Sequence, residues 1–220
     1  MANTPIPVQL KPILDKDILL VARPLREQLK SPMVLYGIFV EIVRQYYTDP
    51  LNYPLGMQPD IGWNIDVTKT KIWIDTEYQW TDDTPEVRPA IYVKLSDITY
   101  ESLTGRRDGW MWSDLEQGEK HYSRSGQGQV TFVHIGRTNG ETVALGSATQ
   151  EYLNALAQQI RDDFCFLEFR LVQAKPLSET AKESKERYNG MVVFAFAFQE
   201  VWAVKQESPK LKVFDLVKQQ

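Results

Sequence analysis

The chain has one cysteine and two histidines in 220 residues, and these shortages exclude much chemistry. Cys165 cannot form an internal disulfide, and with His121 and His134 as the only histidines no H-x-x-x-H or H-E-x-x-H spacing occurs, so a zinc site cannot be built. Set between Phe164 and Phe166, Cys165 reads as a buried, inert thiol. Phosphate-binding signatures are missing as well: there is no G-x-x-x-x-G-K-[ST] and no G-x-G-x-x-G, and the nucleophile elbow G-x-S-x-G is absent too. No apolar run approaches the roughly 18 residues of a membrane span. Asp15, Lys16 and Asp17 interrupt the N-terminal stretch where a signal peptide would be apolar, so a soluble protein made inside the cell is expected. A net charge of −4 gives no general attraction to nucleic acid or anionic membrane.

What is present is ordinary globular composition, 43% apolar and 25% charged, which argues against disorder and for a sizeable core. Residues 1–32 carry Pro5, Pro7, Pro12, Pro24 and Pro32 and read as an N-terminal arm. From 33 to 47, Leu35, Ile38, Phe39, Ile42 and Tyr46 recur at helical spacing and predict a helix with one buried face, stopped at Asp49-Pro50. Strands are predicted at 71–75 (KIWID), 88–100 (RPAIYVKLSDITY), 128–138 (GQVTFVHIGRT), 166–174 (FLEFRLVQA) and 191–204 (MVVFAFAFQEVWAV). The last is apolar on both faces, as a strand inside a covered sheet would be. A second, longer helix carries the stripe Val143, Leu145, Ala148, Tyr152, Leu153, Leu156, Ile160 and Phe164; Thr138 with Glu141 is the preferred capping box over Ser147 with Gln150, leaving Gly146 inside the helix. The order of elements predicts an α+β fold: a mostly antiparallel β-sheet with one long and one shorter α-helix packed on it. Residues 33–204 form the single domain in this reading, with a protruding loop or hairpin at 104–128 and a C-terminal tail strand within 205–220.

Candidate catalytic groups are few. His134 lies on a strand whose alternate positions are apolar, and no partner for a general base is legible, so a hydrogen-bonded structural histidine is expected. Adjacent carboxylates at Asp82-Asp83 and Asp162-Asp163 point apart on a strand or a helix and read as solvated charge. GQG at 126–128 and GRTNG at 136–140 read as turns. No catalytic residue, cofactor or metal is assigned, and no enzymatic activity is expected.

Interface candidates are more plentiful. The 104–128 segment is glycine-rich and charged, yet it holds Trp110, Met111 and Trp112. Arg106, Arg107, Lys120 and Arg124 beside two tryptophans resemble a nucleic-acid loop, but Asp108, Asp114, Glu116 and Glu119 offset them. Tryptophans flanked by polar residues suit interface anchoring, and if the segment is a hairpin arm positions 110 and 112 share one face. The tail KLKVFDLVK (210–218), with Leu211, Val213 and Leu216, alternates as a strand that adds to another chain. The expected interface is therefore Trp110, Met111, Trp112, Arg106, Arg107, Leu211, Val213 and Leu216.

The succession RPAIYV, a long loop, GQVTFVHIGRT, the helix ETVALGSATQEYLNAL, a strand, then VFAFAFQEVW resembles the neck and tail-terminator (tail completion) structural proteins of tailed-phage virions over roughly residues 33–204. The resemblance implies a non-enzymatic α+β subunit, located in the virion tail or neck after assembly in the host cytoplasm. Its partners would be itself, in a homomeric ring that is usually sixfold, and neighbouring neck, tail-tube or sheath proteins, with no membrane. The ring would close the tail tube and join it to the head connector. A modest negative charge suits a channel through which DNA passes without specific binding. The alternative is a monomeric ligand-binding or hydrolytic α+β domain with the Trp-bearing loop as a lid.

Overall fold

The computed structural model describes residues 31–49, 52, 61–76, 89–102, 110–114, 119–175 and 188–205, with backbone placement alone at residues 110, 112–114, 119, 120, 188 and 203–205. The N-terminal arm up to residue 30, the tail from 206 and the Asp82-Asp83 pair lie outside these residues. The fold is α+β: two helices on a mostly antiparallel seven-stranded sheet.

Helix α1 (Pro32–Thr48) starts where Ser31 accepts the Val34 N–H, with Pro32 in the first turn, where its missing N–H costs nothing. The expected single buried face is too narrow. Besides Leu35, Ile38, Phe39, Ile42 and Tyr46, the helix buries Tyr36, Val40, Val43 and Tyr47. The reason is that α1 meets more than the sheet: Tyr46 packs on Tyr152 at 4.3 Å, the Tyr47 hydroxyl reaches Thr149 at 3.1 Å, and Ile61 belongs to the same core.

Strands follow in the order β1 (Trp73–Thr76), β2 (Ala90–Leu95), β3 (Thr99–Ser102), β4 (Trp110–Asp114) and β5 (Glu119–Gly136). The expected single strand over 88–100 is two, because Ser96–Ile98 leave the ladder. Ser96 there exchanges hydrogen bonds with Gln129, its N–H donating to the Gln129 carbonyl (2.9 Å) and its hydroxyl accepting the Gln129 N–H (2.8 Å). After β5, helix α2 (Asn139–Phe164) begins at the preferred cap: Thr138 Oγ1 accepts the Glu141 N–H (3.2 Å), and the Glu141 carboxylate holds the Arg137 N–H and guanidinium. Gly146 is inside the helix. Cys165 ends it in the left-handed conformation (φ 53°), its N–H donating to the Arg161 carbonyl. It is half-buried rather than buried, because the cap turns it away from the core that takes Phe164 and Phe166. The sheet closes with β6 (Phe166–Lys175) and β7 (Tyr188–Lys205).

The strand order is β1-β2-β5-β7-β6, with β1 parallel to β2 and the other pairings antiparallel. β5 and β7 pair along 18 residues each, roughly 55–60 Å of two-stranded ladder. β7 lines one edge of β5 throughout; β2, β3 and β4 line the other in turn. Both helices cover one face, where Phe39 lies 5.3–6.4 Å from Phe132, Phe166, Phe169 and Phe196. On the opposite face Ala90, Tyr92 and Ile135 form a second, smaller buried cluster, and Val193 of β7, between the core residues Val192 and Phe194, is buried on that face too. β7 is therefore an inner strand with apolar residues on both faces.

Candidate functional site

The 104–128 segment, expected to be a protruding loop or hairpin, holds β4 and the first ten residues of β5, Glu119 to Gly128, paired antiparallel. The GQG at 126–128, expected to be a turn, lies inside β5. Gly126 pairs with Phe198 and Gly128 with Phe196 across the β5–β7 ladder. A Cβ at Gly126 would stand 2.5 Å from the Phe198 ring, and one at Gly128 3.0 Å from the Phe196 ring. GQG is thus not a turn but a gap in one strand filled by rings from the next.

Among the described residues, no apolar core side chain of β5 precedes Val130; at Gly128 and Gly126 the core is supplied from across the ladder by Phe196 and Phe198. The helix-side face of this end of β5 is a ladder of directly opposed pairs. Beyond Gly126 and Phe198 come Arg124 with Glu200, then Tyr122 with Trp202, whose rings stack at 5.5 Å and 10°. Arg124 Nε lies 2.5 Å from Glu200 Oε2, and the carboxylate is 1% exposed. The guanidinium sits over Tyr100 of β3 at 4.1 Å and reaches Trp202 at 5.6 Å. Burial, then the negative charge of Glu200, raises the Tyr100 phenol, while Arg124 works against the rise. A guanidinium already held by a carboxylate and an aromatic face is a splint, not an open phosphate site.

The predicted interface residues divide. Trp110, Met111 and Trp112 are brought onto β4 beside this cluster, and Met111 is exposed. The register pairs Trp110 with Tyr122 and Trp112 with His121, adjacent residues of β5, so a bulge falls between the tryptophans. The two-residue alternation that would put both on one face does not run through a bulge. Arg106, Arg107, Leu211, Val213 and Leu216 lie outside the described residues. Tyr100, Tyr122, Glu200 and Trp202 were not singled out from sequence. A signal existed: Glu200 and Trp202 continue the even-numbered face of Phe194, Phe196 and Phe198, and a carboxylate on such a face needs a cation.

The histidines stand apart. His121 and His134 are 13 residues apart on one strand, roughly 43 Å along it, so they cannot share a site. His134 is fully buried, its Nε2 3.0 Å from Thr149 Oγ1, which also meets the Tyr47 hydroxyl. Burial lowers its pKa to about 3, against a raising contribution from the Gly190 backbone, so it is neutral near pH 7. Asp162 and Asp163 are exposed at the end of α2, bonded by Gln158 and Gln159. Among the described residues no group of three or more His, Cys, Asp or Glu side chains could hold a metal, and no helix is long and apolar enough to cross a membrane.

No protein-family model matches the sequence, and no curated protein matches it.

Proposed function

We propose that the chain is a structural subunit of a tailed-phage virion that forms a homomeric ring at the tail end or neck, closing the tail tube and joining it to the head connector. The observation that carries this reading is the order of elements: β2 with RPAIYV, β5 with GQVTFVHIGRT, the long α2, then β6 and β7 with VFAFAFQEVW, the succession in which the sequence resembles neck and tail-terminator proteins. The shape of the sheet supports it. A closed ring needs each subunit to present two different, complementary patches. A two-stranded ladder 18 residues long, stiffened by Arg124 and Glu200 and flanked by β4, is a surface of the right kind for one of them. In this reading Trp110, Met111 and Trp112 meet the adjacent subunit or the next ring.

Sedimentation and low-resolution imaging of the purified chain test it. A uniform ring is expected, and Trp110→Ala combined with Trp112→Ala is expected to abolish it without changing the monomer's circular dichroism. A chain that sediments as a monomer at every concentration overturns the reading. A double variant that assembles normally removes the tryptophans from the interface.

A further inference from the structure

The chain has two Asn-Gly dipeptides, Asn139-Gly140 and Asn189-Gly190, and the fold treats them oppositely. Such a dipeptide is chemically unstable when it is free to turn. The glycine's backbone nitrogen attacks the side-chain amide carbon of the asparagine, and glycine, with no Cβ, neither crowds the approach nor resists the backbone rotation that it needs. In a folded protein the rate then depends on what holds the dipeptide.

Asn189-Gly190 is held. Both residues lie in β7, paired with Ile135 and His134 of β5; Gly190 is buried, and the Asn189 Oδ1 is shut away from solvent. Turning this peptide group means opening the longest ladder of the sheet. Asn139-Gly140 is placed differently. The two residues are the first of α2 after its cap, Thr138, and both are exposed. The first N–H groups of a helix have no carbonyl of the preceding turn to bond. The bonds that start α2 pass over the dipeptide without using it: the Glu141 N–H donates to Thr138 Oγ1 (3.2 Å), the Thr142 N–H to the Thr138 carbonyl (3.1 Å), and the Gly136 N–H to Thr142 Oγ1 (3.1 Å).

We propose that Asn139 is a site of spontaneous deamidation in the folded chain and that Asn189 is not. The Gly140 nitrogen bonds to the Asn139 Cγ, the Cγ–Nδ2 bond breaks, and Nδ2 leaves as ammonia with the Gly140 amide proton. Solvent water then opens the cyclic imide, at Cγ to give aspartate or at the Asn139 main-chain carbonyl to give isoaspartate. The two products act differently on the joint between β5 and α2. Aspartate keeps the backbone spacing and puts a negative charge in the first turn, where the helix end favours it. Isoaspartate lengthens the main chain by one carbon between Thr138 and Glu141, so the cap and the Arg137–Glu141 ion pair (2.7 Å) lose their spacing. The inference is independent of the ring reading.

The test incubates the folded, full chain in mildly alkaline buffer, which favours loss of the attacking nitrogen's proton, and follows the peptides carrying Asn139 and Asn189 by mass spectrometry after digestion in acid. The Asn139 peptide is expected to exchange its amide for an acid, as two chromatographic products, at least about tenfold faster than the Asn189 peptide, because a first helical turn opens locally and an inner strand opens only near global unfolding. In urea the two sites are expected to convert at comparable rates. Gly140→Ala fits, since a Cβ there meets nothing within 4 Å. It is expected to slow the Asn139 conversion by about an order of magnitude and to leave the Asn189 rate unchanged. Equal rates in the folded chain, a faster Asn189, an equally wide gap in urea, or no conversion of folded Asn139 while the urea-unfolded chain converts would overturn the proposal. So would a Gly140→Ala chain that converts as fast as the unaltered one. The isoaspartate fraction, separated by ion exchange, is expected to melt below the unaltered chain; equal melting would overturn the effect assigned to it on the cap.

Discussion

A single hydrogen at Gly126 decides how the longest ladder of the sheet packs. The Phe198 ring lies across that position, with three of its carbons 2.5 to 3.0 Å from where a Cβ would be, and the ring also meets Tyr100 edge-on at 6.2 Å. A methyl there must push the ring out of its packing. Gly126→Ala is expected to destabilise the fold by about 1–3 kcal/mol, as overpacking does, and Gly128→Ala by less, since only one carbon of Phe196 comes as close as 3.0 Å. Urea unfolding of both variants checks the order, and a Phe198→Leu background should recover much of the Gly126→Ala loss if the ring is the cause. Equal, negligible losses would mean that the ring gives way freely. This residue was misread in sequence for a physical reason: a glycine at a turn and a glycine under a cross-strand ring look alike until the partner strand's register is known. Cys165 has the same ambiguity, because its aromatic neighbours in sequence advertise a core while its own left-handed backbone turns it aside. Thr138 was legible because a cap is local chemistry, complete within four residues.

Between β5 and the two helices lies a polar connection in an otherwise apolar layer, running from His134 through Thr149 to Tyr47. Its pH consequence has a definite sign. The unfolded chain protonates His134 near pH 6.5, whereas burial holds the folded imidazole neutral down to about pH 3. Between these values the unfolded state binds the extra proton. The stability due to neutral burial is therefore fully present above about pH 6.5 and is lost as pH falls toward 3, on the order of 1 kcal/mol per pH unit. His134→Gln can keep a hydrogen bond to Thr149 but cannot titrate, so its unfolding free energy should be flatter between pH 6.5 and 5, above the carboxylate range. An unchanged slope would show that another group carries the acid sensitivity. At this scale α1, α2, β1, β6, β7 and the core half of β5 could be read from the pattern of apolar residues in each. The outer half of β5 could not. There Gly126, Gly128, Arg124 and Tyr122 interrupt the alternation, and what makes them a strand is the complementary residue on β7, 68 to 80 positions away. The same non-locality hid Glu200, which is the partner of Arg124 only once the register is laid down.

In the whole molecule, the core members among the described residues run from Leu35 to Phe198, and the last described strand ends at Lys205. β6 leaves β7 at Phe198, so beyond that residue β5 is the strand paired with β7 among the described residues. The terminal strand β1 is guarded instead, since Arg44 reaches over from α1 and donates two hydrogen bonds to the Ile74 carbonyl, at 3.2 and 3.0 Å. The alternating sequence at 210–218, with Leu211, Val213 and Leu216, follows β7 in the chain. If those residues add as a strand to a neighbouring subunit, they contribute to association and not to the fold of their own chain. Ending the chain after Lys205 should then leave the urea midpoint and slope of the monomer unchanged within about 0.5 kcal/mol, the range of changes made away from a core. The same truncation should raise the concentration for half-assembly at least tenfold, read by sedimentation. A truncated chain that unfolds more easily as a monomer would place the tail in its own subunit's core, and one that assembles as well as the full chain would leave it no part in the ring.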